Sequence, residues 1–576
     1  MKKTTVIVFV LMLTIFSGAL FLGCSKQEAS ESGSASAAPV SNAPMTIVLY
    51  DVAANYQGNQ PGWFGKVLKD KFNIELNVIA PQIAGDGKAL FQTRAAAGDL
   101  GDIVILDNAD FLDCIAAGLV QDISKDVEQS PNVMVFNEQI KKYNADIPGA
   151  GGKIYGIPTQ MTNTSPTAYS LRLIYSSPQL PWDYFTEIGA PRLRNLNDLL
   201  DALEKIQKAH PTNAAGDKAY AISLWPDWDG TSIETANQTL KWYGAEVRNS
   251  VLLDTKNNMK PLTDDAGEYR KMLRFFFDAT QRGLVDPDSG TQNWDQMVIK
   301  MQNKRVYLHW YEWQRGFWNS PTHGNARENY IAIPVDDMYF FQDGDFYYGD
   351  GRVLGVGSKV TGAKRERVLQ FIDWLASPEG LEYCHNGIKG FNYTVLPDGT
   401  FERTPEGEVS FSANPPVPAE WGGGGWNDGN QKINTYVAHV ISIDPNTKYP
   451  YEYSLWPAEI EKAKTTTNRE WEAMYGAQDP VDYFTKNNQL GIVPSVNVMV
   501  SPEPTDIQLI RSQCATIVKD TSWKMIFAAN EAEFNKLWAD MKTQLTGFGW
   551  DKLVEYDREQ VQAVVDARNE ALARAR

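Results

Sequence analysis

An α/β fold organised around a parallel sheet is the architecture this sequence predicts, and three observations predict it. Residues 45–107 alternate strand and helix signals as β-α-β-α-β, an order that implies parallel strands with helices on their faces. The composition is globular, with 43% hydrophobic and 22% charged residues, which excludes a largely disordered chain. The 576 residues leave room for three or four domains or two large lobes, at roughly 100–200 residues per domain.

The N-terminal element is a targeting segment. Lys2 and Lys3 precede an apolar run from Val6 to Leu22, 17 residues broken only by Thr14, Ser17 and Gly18. That is shorter than the ~20 residues of a spanning helix and fits a signal-peptide core. It ends in Phe21-Leu22-Gly23-Cys24. A small residue followed by Cys resembles a bacterial lipobox, with Phe21 and Leu22 where Leu and a small residue are commoner. The resemblance implies cleavage of residues 1–23 and a diacylglycerol on the Cys24 thiol. Residues 24–44 then form the lipidated Cys and a flexible tether, because 11 of the 20 residues after Cys24 are Ser or Ala and show no apolar period. More than one acyl chain gives a stable membrane anchor.

The folded body follows. Met45 to Val52 reads as a buried strand, Gly62 to Phe72 as a helix, and Ile74, Leu76 and Val78 alternate at strand period. Lys88 to Ala97 is helical and Asp102 to Leu106 is the third strand. Ligands of such sheets meet the carboxyl ends of the strands, here Tyr50-Asp51 and Asp107-Asn108. Later helices show apolar faces: Leu196, Leu199, Leu200, Leu203 and Ile206, stopped by Pro211; Val368, Phe371, Ile372 and Leu375, ending near Ser377-Pro378; and Val561, Val564, Val565 and Leu572, a stripe interrupted by Arg568. These stripes read as core.

Charge and motif content narrow the function. The 54 Lys and Arg face 71 Asp and Glu, a formal charge of −17 that becomes −19 once Lys2 and Lys3 leave with the leader. No basic footprint for nucleic acid exists. Cys114, Cys384 and Cys514 are far apart and read as buried thiols, not as a disulfide framework or zinc site. The five His show no metal-ligand spacing, and GxSxG, HExxH, Walker and EF-hand patterns are missing, so no metal and no cofactor is expected. Aromatic residues reach 11%, including 17 Trp. Trp is well used packing a core or facing a flat, partly apolar ligand.

Several motifs in order resemble the extracellular solute-binding lipoproteins of ABC importers, closest to the branch that binds large sugar oligomers. Gly98-Asp99-Leu100-Gly101-Asp102-Ile103-Val104 is similar to that family's GDLPDIV, with Gly101 for Pro. Gly152 to Pro158 matches its GKIYGIP crossover, followed by Leu173-Ile174-Tyr175. Gly283 to Pro287 and Gln302 to Val306 resemble the approach to a ligand-facing Trp. Thr361 to Gly380 resembles a late helix of the first lobe, and Gly387-Ile388-Lys389-Gly390 with Tyr393-Thr394 resembles a GIEG…YT signature, with Lys389 for Glu. The resemblance spans about residues 45–540. It implies a two-lobed periplasmic-binding-protein-like fold of type II, each lobe a sheet flanked by helices, closing by hinge motion. Residues 45–160 and 350–435 are assigned to one lobe. Residues 161–349 and 436–576, with the C-terminal helices, are assigned to the other.

The residues expected to meet ligand are those suited to sugars, whose C–H faces stack on flat aromatics and whose hydroxyls need two-way hydrogen bonding. Trp313 holds the position of the family's stacking Trp, with Tyr311 and Glu312 beside it. As a strand, 310–313 would put Tyr311 and Trp313 on one face and Trp310 and Glu312 on the other, leaving at least one Trp for the core. Trp225, Asp227 and Trp228 lie on a Pro/Gly-marked loop. Trp421 and Trp426 bracket four glycines that either approach ligand or permit hinge motion. Gln160 and Thr162 follow the crossover, Asp51 ends the first strand, and Arg352 could fork onto an acidic sugar. The function expected is capture of a carbohydrate, an oligosaccharide, by a monomeric receptor anchored in the membrane and serving ABC permease subunits. A peptide or other small solute in the same fold is the alternative. Glu312 as the acid of a glycoside hydrolase is the enzymatic one.

Overall fold

The computed structural model describes residues 43–576 apart from 82, 84–86, 320–326, 398, 411–413, 500–502, 575 and 576. The leader, Cys24 and the tether to residue 42 lie outside the described residues. Among those described, no helix is long and apolar enough to cross a membrane.

The expected β-α-β-α-β unit forms. Met45–Asp51 pairs in parallel with Ile74–Ile79 on one side and Ile103–Asp107 on the other. The crossovers are the helices Gly62–Phe72 and Gly87–Ala96. The sheet is completed by Arg352–Val356, antiparallel to Ile103–Asp107, and by Ile157–Pro158 at that edge. Gly58–Asn59 closes the other edge. Period-two alternation sends Ile47, Leu49, Ile103, Ile105, Leu354 and Val356 to one face and Tyr50, Val104, Leu106 and Val353 to the opposite one. Both faces are covered, which is why these strands read as continuous apolar runs.

A second core gathers around a three-stranded antiparallel sheet, His309–Tyr311, Ser176–Pro181 and Tyr330–Ala332, with Ser176–Pro181 in the middle. Phe340–Asp343 pairs in parallel with Leu490–Val493 beside it. The helix Leu196–Ala209 starts where the Asn195 side chain accepts from the amides of Asn197 and Asp198, and it buries Leu199, Leu200, Leu203 and Ile206. Gly362–Leu375 stops as expected before Ser377. The Ser377 hydroxyl then caps a new helix, Pro378–His385, by accepting from the amide of Gly380.

The chain visits each core more than once. The first core contains Ile47 to Met161 and Leu354 to Tyr451. The second contains Ile174 to Phe340 and Trp471 to Val565. Val437, Ala438 and Tyr451 pack in the first core, so residues on both sides of the expected 435/436 division lie together. The hairpin Tyr393–Val395 and Phe401–Arg403 adds a satellite cluster with Trp456.

The C-terminal helix Trp550–Arg574 buries Val561 and Val565 of its stripe, whereas Leu572 is 37% exposed, so its last turn is only partly buried. Arg568 lies on the buried side. Its side chain is buried and its guanidinium donates to Glu246 at 2.6 Å, so the charge is neutralised inside the protein. Beyond it, Arg574 pairs with Glu138 of the helix Asn137–Ala145 at 3.0 Å. Cys114, Cys384 and Cys514 are buried free thiols, and burial pushes Cys114 up to about 12 and Cys514 to about 11.

Buried histidines tie stability to pH. Burial pushes His309 and His385 down to about 3 and His439 to about 4. These folded values lie below the unfolded value near 6.5, so the contribution is complete above that pH and is lost as pH falls toward the folded value. For His309 alone, acidification from pH 7 to 5 is expected to cost about 2 kcal/mol. Asp51 and Asp229, pushed up to about 6 by burial, act in the opposite sense over this range, so the histidine contribution is read by difference. In denaturant midpoints, His309→Gln should lose less stability than the parent between about pH 7 and 5, which changes the slope. An unchanged slope in that variant would show that His309 does not carry it.

Candidate functional site

The strand Ser176–Pro181 organises the site. Leu180 points into the second core, and the Ser176 hydroxyl donates to the carbonyl of Gln238. Ser177 and Gln179 alternate with these and line the floor of a cleft of about 630 Å³. Asn329, Tyr330 and Ala332 continue that floor from the neighbouring strand. The facing wall holds Ser454, Leu455, Ile460 and Lys464. This wall is tied to the first core's side: Trp456 packs on Tyr393 and Phe401, Glu459 accepts from the amide of Arg403, and the Tyr393 hydroxyl donates to Glu382 of the helix Pro378–His385. The cleft therefore lies between structure belonging to the two cores, a common place for a small-molecule site.

Trp313 lines this cleft with 48% of its surface exposed, whereas Tyr311 is 2% exposed. The expected strand alternation fails here for a local reason. The strand ends at Tyr311, and Glu312–Phe317 turns as a 3-10 helix, which leaves the Trp313 ring in tilted contact with Tyr311 at 5.8 Å but turned outward to the cleft. Its ring stacks on Trp228 at 6.1 Å and 18°, and Trp228 stacks on Trp294 at 5.4 Å and 28°. The outcome is an aromatic ladder with Trp313 as its open end. Trp294 escaped sequence reading because it sits alone at the start of the helix Trp294–Gln302, and only folding brings it to Trp228.

The remaining residues of this region support the ladder. Tyr311 packs edge-on against Tyr175 at 5.9 Å, and its hydroxyl donates to Glu234 at 2.6 Å. Burial, with Glu234 beside it, holds that hydroxyl far above the usual tyrosine range. Glu312 lines the cleft and pairs with Arg315 at 2.7 Å. Trp225 is a correction: it is buried, with its ring parallel to Trp310 at 5.5 Å. Loop sequence signals could not show that the loop folds inward over the second core. Asp227 is exposed, and its carboxylate accepts from the backbone amide of Trp294 at 2.8 Å, fixing the start of that helix. Nearby Asp229, pushed up to about 6 by burial, accepts from the amide of Glu234 and the indole of Trp523.

Other expected site residues fall elsewhere. Asp51 is buried, accepting from the Thr435 hydroxyl at 2.6 Å and the Ala53 amide at 2.7 Å, and burial pushes it up to about 6. Thr162 is buried against Thr164. Gln160 lines a separate pocket of about 250 Å³ with His385, Gln431 and Tyr436. Arg352 forks onto Asp350 with its Nε at 2.9 Å and one terminal nitrogen, so its charge is paired within the chain. Trp426 is buried and stacks on Trp63 at 5.7 Å, while the partly buried Trp421 packs on the same core. The glycines between them form a tight turn. Gly424 has φ +77°, and a Cβ there would meet the Asp428 carboxylate at 2.3 Å. Thus the close approach they permit is to this protein's own chain. Among the described residues, no group of three or more His, Cys, Asp or Glu is placed to hold a metal ion.

Comparison with known proteins places this architecture. The family profile of bacterial extracellular solute-binding proteins matches residues 64–406. The fructooligosaccharide ABC transporter substrate-binding protein FusA of Streptococcus pneumoniae is 19% identical over 247 residues, 42% of this chain. That match spans 44% of FusA, less than half of its length. The structure of FusA with kestose aligns with a TM-score of 0.60 at 14% identity, over 90% of this chain and 99% of that one. An HMO-binding, ABC-transporter-associated solute-binding protein from Bifidobacterium longum infantis aligns with a TM-score of 0.59 at 14% identity, over 90% and 98% of the two chains. At these identities the likeness carries the fold, which is the two-lobed α/β arrangement expected from the motifs. With a profile that covers more than half of the sequence and that fold in solved relatives, the chain belongs to the bacterial extracellular solute-binding proteins.

Proposed function

We propose that this protein is an extracytoplasmic receptor that captures an oligosaccharide in the cleft and delivers it to the permease of an ABC transporter, acting as a binding protein and not as an enzyme. The observation that carries this reading is the half-exposed Trp313 ring at the open end of a three-Trp ladder, facing a wall tied to the other core. A large flat ring left open to a cleft suits the C–H face of a sugar. The names of the similar proteins, which bind fructooligosaccharide and HMO, point the same way.

Ligand touching both walls favours the closed arrangement, since it makes both sets of contacts only there. The permease then reads the closed shape. The lobe division that fits the cores keeps 45–160 with 350–435 and adds residues to about 456, because Tyr451 and Trp456 pack on that side. Cys24 carries the lipid in this reading, and the tether lets a monomeric receptor reach its permease.

The test is a thermal-shift screen of the purified protein against oligosaccharides, peptides and amino acids, with product analysis of the same samples. A ligand at 100 times its dissociation constant adds about 2.7 kcal/mol of stability. The expected result is a shift with one saccharide class and intact saccharide recovered. A hit confined to peptides would keep the fold and overturn the ligand, and cleaved saccharide would overturn the binding-protein reading.

A further inference from the structure

We propose that Ser177, Gln179 and Asn329 form a hydroxyl-binding floor for an uncharged sugar unit, and that the ligand is a neutral saccharide, not a uronate-type one. This rests on the saccharide reading above and narrows it.

The first argument is the state of the floor. Ser177, Gln179 and Asn329 are 1%, 2% and 8% exposed, and all three line the cleft. The Ser177 hydroxyl oxygen, the Gln179 Oε1 and the Asn329 Oδ1 have no hydrogen-bond partner in the protein. A buried polar group left without a partner is costly to the fold. Three such residues among the lining of one cleft suit a ligand rich in hydroxyls. A Ser hydroxyl both donates and accepts, and an amide offers a neutral donor or acceptor in either orientation.

The second argument is charge. Arg172 is held by Asp479 at 2.7 Å, Arg315 by Glu312 at 2.7 Å, and Lys464 by Glu461 and Glu472 at 2.9 Å. Every cation among the described lining residues thus has a carboxylate partner inside the protein, and Arg352 is committed to Asp350. A uronate carboxylate would need a charge-assisted donor of its own. It would instead meet Glu312 and Asp479, which line the same cleft. Stripping its hydration there without a free cation is unfavourable. A neutral hydroxyl ring meets neither obstacle.

Isothermal titration with two panels tests this: neutral oligosaccharides (fructo-, malto-, xylo- and galacto-series) and uronate oligosaccharides (galacturonate and mannuronate series). A neutral series should bind, with affinity changing less than about twofold between low salt and roughly ten times that ionic strength. Ser177→Ala and Gln179→Met should each weaken it by about tenfold or more, while melting of the ligand-free variants confirms that they fold. Asn329→Ala provides the third probe should either variant fail to fold. Arg352→Ala should leave affinity unchanged. Tight, salt-sensitive binding of a uronate series would overturn neutrality and keep the saccharide function. Unchanged affinity in the folded floor variants would remove the floor from the site. Binding of peptides and of no saccharide would overturn the underlying reading as well.

Discussion

Trp313→Ala is expected to abolish detectable saccharide binding while leaving the fold intact. The ring is the open end of the ladder, stacked on Trp228 on one side and 48% exposed toward the cleft. Large aromatic anchors of this kind carry about 2–4 kcal/mol of binding energy when truncated, which corresponds to a loss of roughly 30- to 1000-fold. Stability should fall by less than for a fully buried Trp, because about half of this side chain is already in solvent. Titration calorimetry together with melting of the ligand-free variant reads both quantities. Wild-type affinity in this variant would move the site away from the ladder. Loss of folding would make Trp313 a structural residue.

Trp310→Ala, three positions earlier, should do the reverse. Trp310 is fully buried, lies flat on Trp225 at 5.5 Å and 1°, and has His309 at 5.1 Å and Phe276 edge-on at 6.4 Å. Removing such a ring leaves a cavity that neighbours fill only in part, at a cost of about 3–5 kcal/mol. The denaturant midpoint of the variant should fall accordingly. The protein that remains folded should still bind, because no atom of Trp310 lines the cleft. A variant as stable as the parent would mean that this core repacks freely, and selective loss of binding would give Trp310 the role assigned to Trp313.

The contrast between these residues shows how far a sequence can be read. The motif order picked out Trp313, and the Tyr307–Trp313 run implied that at least one Trp would be core. Strand alternation grouped Tyr311 with Trp313, and their rings do meet at 5.8 Å, but nothing local marks the end of the strand at Tyr311, which leaves one ring buried and the other half exposed. The same limit explains Trp225 and Trp426. A Trp beside Pro or Gly looks costly on a loop, but both loops fold back and bury the ring against a distant partner, Trp310 for one and Trp63 for the other. Arg568 looked like a break in an apolar stripe until Glu246 was found beside it, 322 positions away in sequence.

What the sequence determined by itself is whatever depends on neighbours in the chain. The parallel unit of residues 45–107, the helical stripes and the extents of Gly62–Phe72 and Gly362–Leu375 follow from periodicity and from Pro, Gly and Ser placed at their ends. The family followed from motifs that are themselves local. The tertiary structure alone decided which polar groups were used up and which stayed open. Asp51 and Arg352 satisfy each other's kind of demand within the chain, through Thr435 and Asp350. Ser177, Gln179 and Asn329, unremarkable in sequence, stay unpartnered on a cleft floor. The physical reason is that a hydrogen bond or an ion pair joins groups by distance in space, and in a chain that passes repeatedly between two cores that distance bears no fixed relation to separation in sequence.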